Sequence, residues 1–224
     1  MSGTPERLMP VRGHRLEPQG SRANQNSGNL GNRYNTRRNL RQKRRSLSAY
    51  RQRQAAKRVH HNLFRLSSFL HATHIASYIA FDGEVPIHLH ETDIGHRWYL
   101  PIVSDNLLRW ERKPLLFQRY DANTQLALNR FGIQEPLFNA HQQRHPTMLD
   151  MILVPLVGFD RAGNRLGMGA GYYDRTFARL KPWHQPTLVG IAYAMQEASF
   201  KTEPWDVPLD YVVTEKEIIR PNPR

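Results

Sequence analysis

Between residues 75 and 214 the chain alternates short apolar runs with longer polar stretches. The runs are Ile75–Phe81, Trp98–Val103, Leu115–Tyr120, Met151–Val157, Leu188–Ala194 and Tyr211–Thr214. Their lengths suit strands rather than helices. Met151–Val157 is apolar throughout instead of alternating, as expected of a strand buried on both faces of a parallel sheet. The preceding stretch has a different period. Ala55, Val59, Leu63, Leu66 and Leu70 recur at helical spacing behind Ser48, whose hydroxyl can cap a first turn. Arg37 to Arg45 reads as a short basic helix with Leu40 as its main apolar contact. Further helices are expected at Glu91–His96 and Tyr172–Leu180. Together these predict an α/β fold, a single three-layer domain with a mostly parallel sheet.

Residues 1–35 break the pattern. They are rich in Gly, Asn, Gln, Ser, Pro and Arg and poor in large aliphatic side chains. Such a segment cannot bury enough apolar surface to offset its ordering entropy, so a disordered basic arm is expected there, followed by the domain over 36–220. Charge sharpens this division. The chain carries 32 Lys and Arg against 19 Asp and Glu, a net +13. Residues 1–60 hold 15 basic and 2 acidic side chains, so the remainder is neutral. The high charge therefore belongs to the first quarter and does not make the whole chain a nucleic-acid-binding domain. Any nucleic-acid contact is expected through the arm alone.

There is no cysteine, which excludes disulfides, thiolate catalysis and cysteine-ligated zinc. No apolar run approaches the ~18 residues of a membrane span, and no secretory h-region stands at the start. A cytoplasmic monomer without a membrane partner is the expectation. The 11 histidines include the groupings His60-His61, His88-x-His90 and His141 with His145. None has the spacing of a metal site, so they read as surface histidines.

The sharpest chemical signal is Asp160–Asp174, DRAGNRLGMGAGYYD. Gly167, Gly169 and Gly171 alternate between a strand and a helix start. Glycines let backbone N–H groups approach a phosphate closely, and a first helical turn adds free amides. No Lys-Ser/Thr pair follows, so this is not a Walker A loop. The G-x-G-x-G spacing is not the dinucleotide fingerprint either. On spacing alone the segment is either a phosphate loop or a structural turn.

The segment closely resembles the signature of the 5-formyltetrahydrofolate cyclo-ligase family, in its bacterial form. Pro155, Phe159-Asp160 and Arg165-Leu166-Gly167-Met168-Gly169-Ala170-Gly171-Tyr172-Tyr173-Asp174 match its PxxxFD and RLGxGxGYYD elements. Other pieces agree in order: Arg37-Arg38-Asn39-Leu40-Arg41, Phe81-Asp82-Gly83-Glu84, Gly132-Ile133-Gln134-Glu135-Pro136 and Trp205-Asp206-Val207-Pro208-Leu209-Asp210. The resemblance spans roughly residues 36–215.

It implies closure of 5-formyltetrahydrofolate to 5,10-methenyltetrahydrofolate, with ATP as co-substrate and Mg²⁺ as cofactor. The formyl oxygen is phosphorylated, N10 attacks the carbon, and phosphate leaves. By the same resemblance, ATP is bound by Arg37, Arg38, Asn39, Leu40 and Arg41 and by Arg165, Leu166, Gly167, Met168, Gly169, Ala170, Gly171, Tyr172 and Tyr173. Substrate is bound by Phe81 and Glu84 with Met168, Gly169, Ala170, Gly171 and Tyr172. Asp174 and Asp206 hold the metal. Each residue also has a plainer reading: a solvated basic helix, aromatic packing, or carboxylate caps, with Asp210 read as a structural cap or turn residue. Two departures from the family pattern bear on folate. Pro86-Ile87 stand where a carboxylate and threonine are usual, and Ile102 follows Pro101 where Arg is usual. An alternative is an RNA-binding protein that keeps this fold and uses its basic arm.

Overall fold

The computed structural model describes residues 27–87, 95–103, 115–180 and 185–222. The first 26 residues, most of the predicted arm, lie outside this set, as does most of the helix expected at Glu91–His96. The helices are α1 (Ser27–Arg45), α2 (Ala49–Leu63), α3 (Ser67–His71) and α4 (Tyr172–Phe177). Eight strands form the main sheet: β1 (His74–Ala76), β2 (Arg97–Ile102), β3 (Leu116–Tyr120), β6 (Gln143–Arg144), β7 (Met151–Pro155), β10 (Thr187–Ile191), β11 (Tyr211–Val213) and β12 (Ile218–Ile219). Two small hairpins stand apart, β4 (Leu126–Leu128) with β5 (Gln134–Pro136), and β8 (Gly158–Phe159) with β9 (Arg165–Leu166).

The strand order is β12-β11-β10-β7-β1-β2-β3-β6. The five central strands, β11 to β2 in that order, pair in parallel, and the antiparallel pairings occur at the two margins. All six apolar runs contribute strands. In β7 the side chains alternate between two cores: Met151 and Leu153 join α2 and α3 on one face, while Ile152 and Val154 join Phe177 of α4 on the other. Both faces are covered, which is why β7 reads as a continuous apolar run and the domain as three layers.

Several boundaries differ from expectation, α4 among them, which ends at Phe177 rather than Leu180. Helix α1 begins at Ser27 rather than near residue 36, so residues 27–35 of the predicted arm are helical. The reason is tertiary: Arg33 is buried and bonded to the carbonyl of Lys201 and the carboxylate of Asp206. Ser48 does cap α2, its hydroxyl accepting from the Arg51 N–H. The helix stops at Leu63, however, and Leu66 precedes the separate α3, which leaves Leu70 exposed. No helix among the described residues is long and apolar enough to cross a membrane.

Candidate active site

The C-terminal ends of the parallel strands carry the loops that converge on one cavity, the usual place for a site in such sheets. Its volume is about 340 Å³. Tyr78, Leu100, Leu115 and Pro155 form its apolar base. Phe131 and Glu135, from the β4–β5 hairpin, line the cavity together with the glycine loop and Tyr172, Tyr173 and Asp174.

The loop from Gly167 to Gly171 joins β9 to α4. Gly169 has φ +105° and Gly171 φ +66°, values at which a side chain would be strained. Among the described residues, no protein acceptor takes the N–H groups of residues 167–171. Free amides on a glycine loop make an anion cradle. Helix α4 has six residues, so its dipole adds little beyond those amides. From below, Arg175 donates to the Ala170 carbonyl at 2.6 Å and fixes the turn.

Helix α1 approaches this loop with one face. Arg33, Arg37, Leu40 and Arg44 fall at helical spacing along it. Leu40 is buried over Gly158 of β8, a packing contact. Arg37 Nε donates to the Gly167 carbonyl at 2.9 Å. Burial, and next the charge of Arg33, lower the Arg37 pKa, while Asp206 and Asp174 oppose this. Arg38 and Asn39 are exposed on the other side of the helix.

Arg41 meets a different partner from the one expected. Its Nε donates to Asp82 Oδ2 at 2.8 Å, and that bond raises its pKa. Arg44, wholly buried, donates to the same Oδ2 at 2.7 Å, to the Asp82 carbonyl at 2.8 Å and to the Leu156 carbonyl at 3.0 Å. Arg45 also bonds Asp82. Burial alone would raise the Asp82 pKa, but the three arginines overcome it and bring it to about 2. This clamp holds Asp82 at φ 55°, and the tight turn closes with Glu84 Oε2 accepting from the Phe81 N–H at 3.1 Å. Glu84 then faces the cavity. Burial pushes its pKa up to about 7, against the pull of Arg44, 3.6 Å away. Tyr78 completes the wall, its hydroxyl donating to the Val85 carbonyl at 2.7 Å. Phe81, expected as a substrate contact, lines the cavity and is 39 % exposed.

The two predicted metal carboxylates both lie in the charge field of Arg37. Asp174 accepts one bond from Arg165, and its other oxygen takes none among the described residues. Asp206 faces Arg33 with both oxygens, at 2.9 and 3.4 Å, and also accepts from the Glu203 N–H. Mg²⁺ beside phosphates needs only one or two carboxylates. Asp174 fits that requirement as it stands, whereas Asp206 joins only by releasing Arg33. Arg165 is 3 % exposed, and its guanidinium is taken by Asp174, the Val207 carbonyl and the Phe177 ring. It works as a strut under the loop. Leu166 is buried core, while Met168 is exposed at the cavity mouth.

Tyr172 accepts from Arg130 at 2.5 Å and meets the Phe131 ring edge-on at 6.0 Å. The β4–β5 hairpin thereby spans the cavity to the glycine loop. Tyr173 packs against Phe177, and burial raises its pKa. Glu135 of the Gly-Ile-Gln-Glu-Pro segment accepts from the Val103 N–H and the Asn129 amide, fixing the hairpin. Asp160 and Asp210 cap backbone N–H groups, and Ile87 and Ile102 pack into the cores. Among the groups missed from sequence are Arg33, Arg44 and Phe131. The Arg33-Arg37-Leu40-Arg44 spacing was the available signal for the first two.

The family model of the 5-formyltetrahydrofolate cyclo-ligase family matches residues 29–215. A 5-formyltetrahydrofolate cyclo-ligase of Haemophilus influenzae is 37 % identical over 190 residues, covering 81 % of this chain and 96 % of that protein. The protein of that name from Escherichia coli K12 is 34 % identical over 185 residues, covering 80 % and 98 %. The solution structure of Aquifex aeolicus 5,10-methenyltetrahydrofolate synthetase superposes with a TM-score of 0.70 at 31 % identity, over 86 % of this chain and 94 % of that one.

Proposed function

Because the chain belongs to the 5-formyltetrahydrofolate cyclo-ligase family, we propose that it closes 5-formyltetrahydrofolate to 5,10-methenyltetrahydrofolate while converting ATP to ADP and phosphate. One observation carries the division of the site: the glycine loop is at once a wall of the apolar cavity and the contact of Arg37. A loop so placed can hold a triphosphate on one side and meet a flat aromatic substrate on the other.

In this reading the free amides of residues 167–171 and the Arg37 guanidinium bind the ATP phosphates. Arg33 and Arg165 keep the neighbouring carboxylates oriented. Asp174, and Asp206 once Arg33 releases it, hold Mg²⁺, which neutralises phosphate charge when bound. The pterin enters the cavity beside Glu84, whose carboxyl can accept from the ring N–H and amino donors. Phe131 and Tyr172 cover it and keep water from the phosphorylated intermediate. The formyl oxygen attacks the γ-phosphorus and ADP departs. N10 then adds to the activated carbon, loses its proton, and the C–O bond breaks to release phosphate. The enzyme's task is alignment, since the formyl oxygen is a weak nucleophile and oxide a poor leaving group.

The test is spectrophotometric. With 5-formyltetrahydrofolate, ATP and Mg²⁺, the near-ultraviolet band of methenyltetrahydrofolate should grow with enzyme concentration and stay flat when ATP is omitted. No growth from folded protein with all three present would reject the proposal.

A further inference from the structure

The opposite end of the sheet carries a second group of cations that the proposed reaction does not use. Tyr99 on β2 pairs across strands with Arg119 on β3, and Phe117 on β3 pairs with Arg144 on β6. Alternation puts Tyr99, Arg119 and Arg144 on one sheet face. His74, the first residue of β1, reaches the same phenol. Arg144 Nε donates to Tyr99 Oη at 2.7 Å, and His74 Nδ1 lies 3.0 Å from that oxygen. The guanidinium carbons of Arg119 and Arg144 stand 6.0 and 5.5 Å from the Tyr99 ring centre.

What the cluster lacks, among the described residues, is a carboxylate paired with its arginines. Among the described residues neither Arg119 nor Arg144 makes an ion pair, and Arg119 donates no hydrogen bond to protein. The nearby carboxylate is Asp150, and its Oδ2 already accepts the N–H groups of Thr73 and His74. Arg97, paired with His74, adds a further positive charge. Burial, and next Arg144, lower the His74 pKa. In the neutral ring, with Nδ1 accepting from Tyr99, Nε2 carries the proton and becomes one more donor. Guanidinium groups gathered without a counter-charge repel one another, and a bound anion relieves that repulsion.

We propose that Arg119, Arg144 and His74 form an oxyanion site for a phosphate-type dianion, separate from the glycine loop. Two guanidinium groups can each bond two phosphate oxygens, and the His74 Nε2–H can serve as a third donor group. The site is remote from the cavity. Val103 and Leu115 line the cavity, four residues along β2 from Tyr99 and along β3 from Arg119, about 13 Å at strand spacing, and Leu100, which also lines it, faces the other side of the sheet from Tyr99. The ligand is either free inorganic phosphate or the phosphoryl group of a small ester, and the two sources can be told apart.

The experiment follows the His74 ring C–H resonance by NMR in the full-length protein, with the signal assigned by its loss in His74→Asn. Inorganic phosphate is titrated at constant ionic strength, balanced with chloride, and phenyl phosphate is titrated in parallel. A saturable shift is expected. In Arg119→Gln and in Arg144→Gln, each with wild-type spectral dispersion, its midpoint should weaken at least tenfold. The Michaelis constant for ATP should stay within twofold in both variants, which separates this site from the proposed reaction. Saturation by both ligands identifies a phosphoryl-group site, and saturation by inorganic phosphate alone a site for the free ion. A shift that never saturates, one that chloride reproduces, or a midpoint unchanged in both variants would overturn the proposal.

Discussion

Asp82 and Glu84 belong to one turn and stand two residues apart, yet they sit in opposite electrostatic regimes. Asp82 faces the arginine side of the site and is driven to a pKa of about 2. Glu84 faces the apolar cavity and is raised to about 7. Arg44 touches both, bonded to Asp82 and 3.6 Å from Glu84. Burial pushes both carboxyls up; three arginines bonded to Asp82 overcome it there, whereas no arginine donates to Glu84 and burial prevails. The comparison extends to the two halves of the site. The half formed by α1 and the glycine loop is built from charges paired in advance and free amides. The cavity half is built from apolar and aromatic surface with one carboxyl that can be charged or neutral near pH 7.

The largest effect should come from removing the residue that joins the halves. Arg44→Met leaves Asp82 and Glu84 without their buried partner. Breaking such a pair costs about 3–5 kcal/mol, to be read as a lowered denaturation midpoint at unchanged m-value. A loss below about 1 kcal/mol would show that Arg41 and Arg45 suffice, and that the turn does not depend on the buried side.

Next is Asp174→Asn. Its shape is preserved and its bond from Arg165 can persist, but the open carboxylate oxygen is lost. We expect kcat to fall by roughly 10²–10³-fold, the range seen when one transition-state electrostatic contact is removed, with little change in thermal midpoint. Near-normal turnover at saturating Mg²⁺ would leave Asp174 as merely the counter-ion of Arg165.

Glu84→Gln separates the regimes by pH. A carboxyl near 4.5 when unfolded and about 7 when folded is uncharged in both states at low pH. As pH rises from 4.5 to 7 the unfolded chain ionises first, so wild-type stability falls over that window and levels off above it. The full swing is about 3–4 kcal/mol. Glu84→Gln should remove this slope and raise the folate KM more than the ATP KM. Asp82 has the reverse sign: its contribution is present above 3.8 and is lost as pH falls through about 2. A wild-type slope that survives in Glu84→Gln would place its source in another group.

Much of this site could be read along the chain, and the exceptions share a cause. Met151–Val157 declared a strand because both of its faces are buried, and the alternating glycines declared their loop because only glycine tolerates those φ values. Ser48 declared a helix start through a local bond. By contrast, Gly28, Gly31 and the asparagines around them are poor helix formers, so the first turns of α1 look like coil. What anchors that part of the helix is Arg33 bonding to Lys201 and Asp206, far along the chain. Arg44 was hidden in the same way, as one more charge in a basic run, until Asp82 came opposite it. Ile75–Phe81 was only partly strand, because after Ala76 the backbone leaves the sheet to form the cavity wall. Where a contact is local or a whole face is apolar, the pattern of residues reveals it. Where a buried arginine finds a carboxylate from a distant loop, it does not.

The division of labour between the halves rests most directly on Arg37, which touches the glycine loop without a carboxylate bond of its own. Both Michaelis constants should be measured for Arg37→Ala in the cyclisation assay. A charge-assisted hydrogen bond contributes about 1.5–3 kcal/mol, or roughly 10- to 150-fold in affinity. The ATP KM should rise by that factor, while the folate KM stays within about twofold, well under the ~1.4 kcal/mol of a tenfold change. An equal or larger rise for folate, or no rise for ATP, would contradict the assignment of α1 and the glycine loop to the nucleotide.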